Sequence, residues 1–232
     1  MKVDLTEITE EVFRMQTNTI CMKFREACTI YSEKQPDSQQ TIKILKHTDA
    51  LLYKFTLATI NLEFLWKISE FKKEALIKDD QQVGYEWNNS KSIIDSIFFE
   101  STIIQIRAFI DFAQKLSCVR IGYYKPINGT NHFYKILKSS ESYLASQIEK
   151  VFKEVDESWG QVIRSLRDKV LHYDLIKTSH SFRPSIQEKN YEEFAQGLTN
   201  EMFEFLMTLS EVIFGIEWIS GTFDQFKVHY SR

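Results

Sequence analysis

Residues 163–174, Ile-Arg-Ser-Leu-Arg-Asp-Lys-Val-Leu-His-Tyr-Asp, gather the side chains best suited to proton transfer and anion binding. Trp159, Ile163, Leu166, Val170 and Tyr173 recur at helical spacing and form one apolar face. Arg164, Asp168 and His172 then stand in register at i, i+4 and i+8 on another face. Asp168 is expected to pair with Arg164, with His172 or with both. A carboxylate beside an imidazole raises its pKa and fixes the ring's orientation. Arg167 lies about 140° around the helix from His172. The two reach one ligand only through a frayed helix end, side chains that reach round, or a second subunit. Residues 161–183 hold Arg164, Arg167, Lys169, Lys177 and Arg183 against Asp168 and Asp174, with His172 and His180 nearby. Such a local basic patch can face phosphate even on an acidic protein. The plainer alternative is a helix end whose cations favour the dipole and pair with an acidic neighbour.

The elements that must position these residues are helices. The chain has 232 residues, with only seven glycines and three prolines. Turn-rich sandwiches, barrels and doubly wound sheets need more punctuation than that. The length supports a core without a disulfide or metal staple. The hydrophobic share of 43% and charged share of 26% exclude general disorder. The net charge of −3 carries no global nucleic-acid signature. Cys21, Cys28 and Cys118 are an odd, sparse set, pointing to a reducing compartment. The start, MKVDLTEITEEVF, is polar and acidic and does not read as a signal peptide. The apolar stretch 203–219 contains Glu204, Glu211 and Glu217, which argues against a membrane span. A cytoplasmic chain with no membrane partner is expected.

Periodicity predicts a first helix over 4–34 and a second from Ser38 to about Lys78, with a kink or break expected in its length of about 60 Å. A loop at 79–89 precedes a third helix, capped at Asn89 or Ser90 and running to about Arg120. A loop containing Pro126 and Asn128-Gly129 leads to a short helix at 132–139. Residues 141–172 read as one helix, or as two joined near Trp159-Gly160. An irregular loop or small hairpin covers 174–190, and a last helix spans Tyr191 to Ser220. That helix carries six glutamates, Glu192, Glu193, Glu201, Glu204, Glu211 and Glu217, and no lysine or arginine.

The segment Arg167-Asp168-Lys169-Val170-Leu171-His172 resembles the Arg-(four to six residues)-His motif of the HEPN superfamily, including the polar residue directly after the Arg. The third helix, FFESTIIQIRAFIDFAQKL, resembles that family's other core helix. The resemblance covers about residues 90–220. It implies an all-α fold, with a HEPN-like helical bundle over 85–225 and residues 1–80 as an N-terminal helical layer packed on it. Many family members are dimeric, metal-independent endoribonucleases of toxin–antitoxin, phage-defence or RNA-processing systems. Others bind nucleotides or act as non-catalytic scaffolds.

The resemblance makes Arg167, His172 and Asp168 the catalytic set. Arg164, Lys169 and Tyr173 become candidate supporting or substrate-binding neighbours. Its partners would be RNA, a second copy of the chain and an antitoxin or regulatory protein, with no metal and no cofactor. One subgroup carries a Tyr two positions after the His, used in control by modification. Here Asp174 holds that position and Tyr173 follows the His directly. Glu100, Arg107 and Asp111 lie within about 40° on the third helix. They either orient the Arg and His or form a solvent stripe with Ser96 and Gln114.

The remaining candidates are plainer. Cys21 and Cys28 stand seven apart, too far for a two-ligand clamp, and read as core. His47, His132 and His229 have no Cys or carboxylate at ligand spacing. Asn128-Gly129-Thr130 matches a glycosylation sequon by pattern alone. No phosphate-cradling or dinucleotide-binding glycine loop is present. Tyr123, Tyr124, Phe133 and Tyr134, flanking Lys125 and Lys135, either stack on single-stranded bases or anchor a loop. If Arg167 and His172 act together, the last helix or the motif helix is expected to supply an apolar dimer face, and Phe203, Leu206, Ile213 and Trp218 on the last helix exceed what one internal face needs.

Overall fold

The computed structural model describes residues 10–35, 38–77, 84–172, 190–218 and 228–230. Those residues form an all-α fold of seven helices with one small ribbon. In chain order they are α1 (Glu10–Glu33), α2 (Ser38–Ile77), α3 (Gly84–Arg120), α4 (Gly129–Ser139), α5 (Tyr143–Glu157), α6 (Trp159–His172) and α7 (Asn190–Phe214). Strands β1 (Ile216–Trp218) and β2 (Val228–Tyr230) pair antiparallel, with Ile216 opposite Tyr230. Among the described residues no helix is long and apolar enough to cross a membrane.

Several boundaries differ from the sequence reading. The second helix forms without a break through all 40 residues. The third begins at Gly84, ahead of the expected cap at Asn89 or Ser90. The fourth begins at Gly129 (φ 79°), where the Asn128 N–H donates to His132 Nδ1 at 3.0 Å and closes the first turn. Of the two readings of residues 141–172, the structure bears out the pair of helices, divided at Ser158 (φ −113°, ψ −118°) beside Trp159-Gly160. Gly160 permits that sharp corner, since a Cβ there would lie 2.7 Å from the Val155 carbonyl oxygen. The last helix stops at Phe214 and not at Ser220. Gly215 adopts φ 66°, its N–H donates to the Glu211 carbonyl at 2.9 Å, and the chain turns into β1. A left-handed glycine after the last turn is a common helix stop. The expected loop at 174–190 lies outside the described residues apart from Asn190.

All seven helices contribute to one apolar core. A chain of ring contacts runs through it: Phe203 to Phe55 (5.5 Å), Phe55 to Phe109 (5.5 Å), Phe109 to Phe205 (5.6 Å), Phe205 to Phe152 (5.4 Å) and Phe152 to Phe133 (4.7 Å). These edge and tilted contacts tie α7 to α2, α3, α5 and α4. Phe203, Leu206 and Ile213 are buried inside this core. The expectation that they form a dimer face is therefore corrected: α7 is a central helix, packed by α1, α2 and α5, and its apolar residues are used within the chain. The Trp218 side chain lies outside the described residues.

Candidate site at the seam of α3 and α6

Helix α6 is seated by its apolar face. Ile163 is fully buried, and Trp159 meets Phe205 of α7 edge-on at 6.1 Å. Arg164 does not pair with Asp168 as the i, i+4 spacing predicts. Its Nη1 reaches back to Asp156 Oδ1 on α5 at 3.0 Å, and Asp156 Oδ2 accepts the Tyr134 hydroxyl of α4 at 2.6 Å. Asp156 is mostly buried, so an ion pair there is worth more than an exposed one along α6. Burial and this carboxylate push the Tyr134 hydroxyl pKa strongly up, so it remains a donor. Among the described residues Asp168 pairs with its neighbour Arg167, whose Nη1 donates to Oδ1 at 3.2 Å.

His172 closes α6, so the helix runs unbroken from Arg167 to the histidine and the separation of about 140° holds. The side chains of His172 and Lys169, and all of Tyr173, lie outside the described residues. Arg167 and Asp168 are the two members of the motif whose side chains the structure places together.

Helix α3 supplies the other half. Arg107 is almost fully buried; its Nη2 reaches Asp111 Oδ1 at 2.8 Å and donates to Thr130 Oγ1 on α4 at 3.1 Å. Burial pushes the Asp111 carboxyl above its ordinary range, and Arg107, Lys115 and Arg167 pull it back. Arg167 of α6 is thus within electrostatic reach of Asp111 on α3. The solvent-stripe alternative for this helix fails at Arg107 and at Gln114, which is only 2% exposed. Glu100 lies two turns before Arg107, about 10.5 Å along the axis, and stands apart from the Arg107–Asp111 pair. Ser96 has its side chain outside the described residues.

The site therefore consists of a buried guanidinium, a carboxylate half-open to solvent, and a second guanidinium at the surface. Arg107 orients Asp111, Asp111 attracts Arg167, and Asp168 tethers Arg167 from its own helix. A half-exposed guanidinium held this way presents a planar fork suited to phosphate oxygens. Sequence reasoning missed Tyr134, Asp156 and Thr130 as partners of these residues. No spacing rule could have found them, because each meets its partner across a helix boundary.

The other candidates settle into structural roles. Thr48 Oγ1 donates to Cys28 Sγ at 3.2 Å, and burial pushes the Cys118 thiol up to about 12. Such thiols are poor nucleophiles. Phe133 is in the core, Tyr123 packs edge-on against His132, and Tyr124 lies under Lys43 at 3.8 Å. Phe133 is thus an anchor, whereas Tyr124 remains 45% exposed. Among the described residues no group of three or more His, Cys, Asp or Glu stands together to hold a metal ion. Comparison of the chain with family models, with curated proteins and with solved structures finds no match.

Proposed function

We propose that the chain is a metal-independent endoribonuclease of HEPN type, acting as a homodimer in a toxin or phage-defence setting. The observation that carries this reading is the placement of Arg167. Its guanidinium is partly exposed, paired with Asp168, and within electrostatic reach of Asp111, which pairs with the buried Arg107. A fork held by a neighbouring carboxylate suits a phosphate better than an untethered surface arginine does.

In the proposed reaction an imidazole from His172 takes the proton of an RNA 2′-hydroxyl. The 2′-oxygen attacks the adjacent phosphorus, and the bond to the 5′-oxygen breaks. A second imidazole or another acid protonates that leaving oxygen. Arg167 stabilises the added charge on the phosphorane. The products are a 2′,3′-cyclic phosphate and a 5′-hydroxyl. Because Arg167 and His172 diverge on one helix, the pair at each phosphate is drawn from two copies.

The test is cleavage of matched single-stranded RNA and DNA by the purified chain in EDTA. RNA is cut, and DNA, lacking the 2′-hydroxyl, is not. Removal of a transition-state donor costs about 10²–10³ in rate. His172→Ala, Arg167→Ala and Arg167→Lys should each lose at least that with the helical spectrum unchanged. Rate against pH should follow a bell. No cleavage, or full activity in these variants, overturns the reading in favour of a non-catalytic HEPN scaffold or nucleotide-binding module.

A further inference from the structure

A surface helix ordinarily turns its charged side outward. The outer side of α2 mixes large apolar side chains with lysines. Ile42, Leu45, Tyr53, Ile60 and Phe64 are between 36% and 64% exposed and run about 33 Å along the helix. Ile104 of the adjoining α3 and Tyr124 of the loop after it are also exposed. Lysines stand among them. Lys46 is exposed, and Lys43 lies 3.8 Å from the Tyr124 ring centroid. Lys54 donates to Gln105 Oε1 of α3 at 3.2 Å, and Lys115 of α3 lies 4.5 Å from the Phe112 ring centroid. Among the described residues no carboxylate forms an ion pair with any of these four lysines.

The acids of α2 do not cancel this charge. From Ser38 to Lys67 they are Asp49 and Glu63. Asp49 is held by Arg25 of α1 at 2.8 Å. The buried Glu63 is held by Arg14 at 3.0 Å and Lys67 at 3.3 Å. The positive field is felt at His47, where burial and then Lys115 and Lys46 push the imidazole pKa down. The face is thus positive on a chain whose net charge is −3.

The geometry points to an anionic lipid surface as the occupant of this face. A large exposed apolar patch with a polar rim marks a protein or a membrane contact. A second copy would set lysines against lysines. Nucleic-acid bases would find rings at Tyr53 and Tyr124, but Ile42, Leu45, Ile60 and Ile104 offer no face to stack on. A bilayer with anionic headgroups suits both halves. The aliphatic side chains enter the boundary between headgroups and acyl chains, the tyrosines sit at that boundary, and the lysines reach lipid phosphates along their stems. The expectation of no membrane partner drew on the lack of a span, which a surface contact does not need. The contact is independent of the nuclease reading: a chain that binds lipid without cutting RNA, or the reverse, leaves the other proposal intact.

Flotation of the full chain with lipid vesicles tests the inference. Vesicles of phosphatidylcholine are compared with vesicles of equal parts phosphatidylcholine and phosphatidylglycerol. The chain should float with the anionic vesicles at low salt, should stay behind with the neutral ones, and should be released by high salt. Lys43→Gln, Lys46→Gln and Lys115→Gln should each weaken partition about fivefold. Ile42→Asp and Ile60→Asp should each abolish it, with helical circular dichroism retained because both residues are exposed. Lys150→Gln, which removes an exposed lysine from α5, should leave it unchanged. Absence of flotation overturns the proposal, whether the face then proves to bind a single-stranded oligonucleotide or a second copy of the chain. Equal binding to neutral vesicles overturns it, and so does an equal loss in Lys150→Gln, which would reduce the effect to overall charge.

Discussion

Replacing Tyr134 by phenylalanine removes one oxygen from the tie that joins α4, α5 and α6. That hydroxyl donates to Asp156 at 2.6 Å, and the acceptor side chain is only 15% exposed. A hydrogen bond to a charged group contributes about 1.5–3 kcal/mol. Burial of the acceptor leaves little water to take the donor's place. The expected loss is about 2 kcal/mol, which for a chain of this size lowers Tm by about 4–8 °C. Asp156→Ala strands two donors, but Arg164 is 30% exposed and recovers part of its hydration. About 3 kcal/mol is expected there. The double variant should lose less than the two singles added together, because without Asp156 the hydroxyl has no acceptor left to lose; the coupling should be about 1.5–2 kcal/mol. Thermal and urea unfolding followed by circular dichroism measure all three. A Tyr134→Phe variant within about 0.5 kcal/mol of the parent, or strict additivity, would refute the account of how α6 is seated.

Other outcomes follow from the same packing. Burial holds the Asp111 proton more tightly in the folded chain than in the unfolded one. Stability should therefore fall as pH rises from the ordinary carboxylate value of about 3.9 through the raised folded value, and level off above it. The stability of Asp111→Asn relative to the parent should rise with pH across that window; an unchanged difference would count against the assigned burial. Gly160→Ala forces a Cβ to within 2.8 Å of Val155 Cγ1 as well as onto its carbonyl. A loss of about 1–3 kcal/mol is expected in urea unfolding. Arg120 donates from Nε to the Ile213 carbonyl at 2.6 Å, and its guanidinium lies 4.2 Å from the centroid of the Tyr31 ring. Arg120→Ala should lose about 2 kcal/mol and speed amide exchange at the end of α7.

Much of the architecture was legible in the residues because helices announce themselves locally. Ile44, Leu51, Phe55, Ala58, Leu62 and Leu65 repeat at helical spacing, and all six are buried in α2. Scarce glycine and proline left few places to stop. Boundaries were less legible where one residue's backbone decided them: Gly215 ended α7 even though the apolar run continues past it. The face of α7 was misread for a related reason. Periodicity says which residues share a side, but only packing shows that one helix is surrounded by three others.

The site divides in the same way. The sequence by itself determined that Arg167 and His172 share one helix, and therefore that they diverge. It also determined which neighbours lay within reach along that helix. Only the tertiary structure decided which pairs form. Arg164 left Asp168 for Asp156, and Asp111 came within range of Arg167, because the strength of an ion pair depends on burial and on the approach of a second helix. Neither quantity is written in spacing along one chain segment.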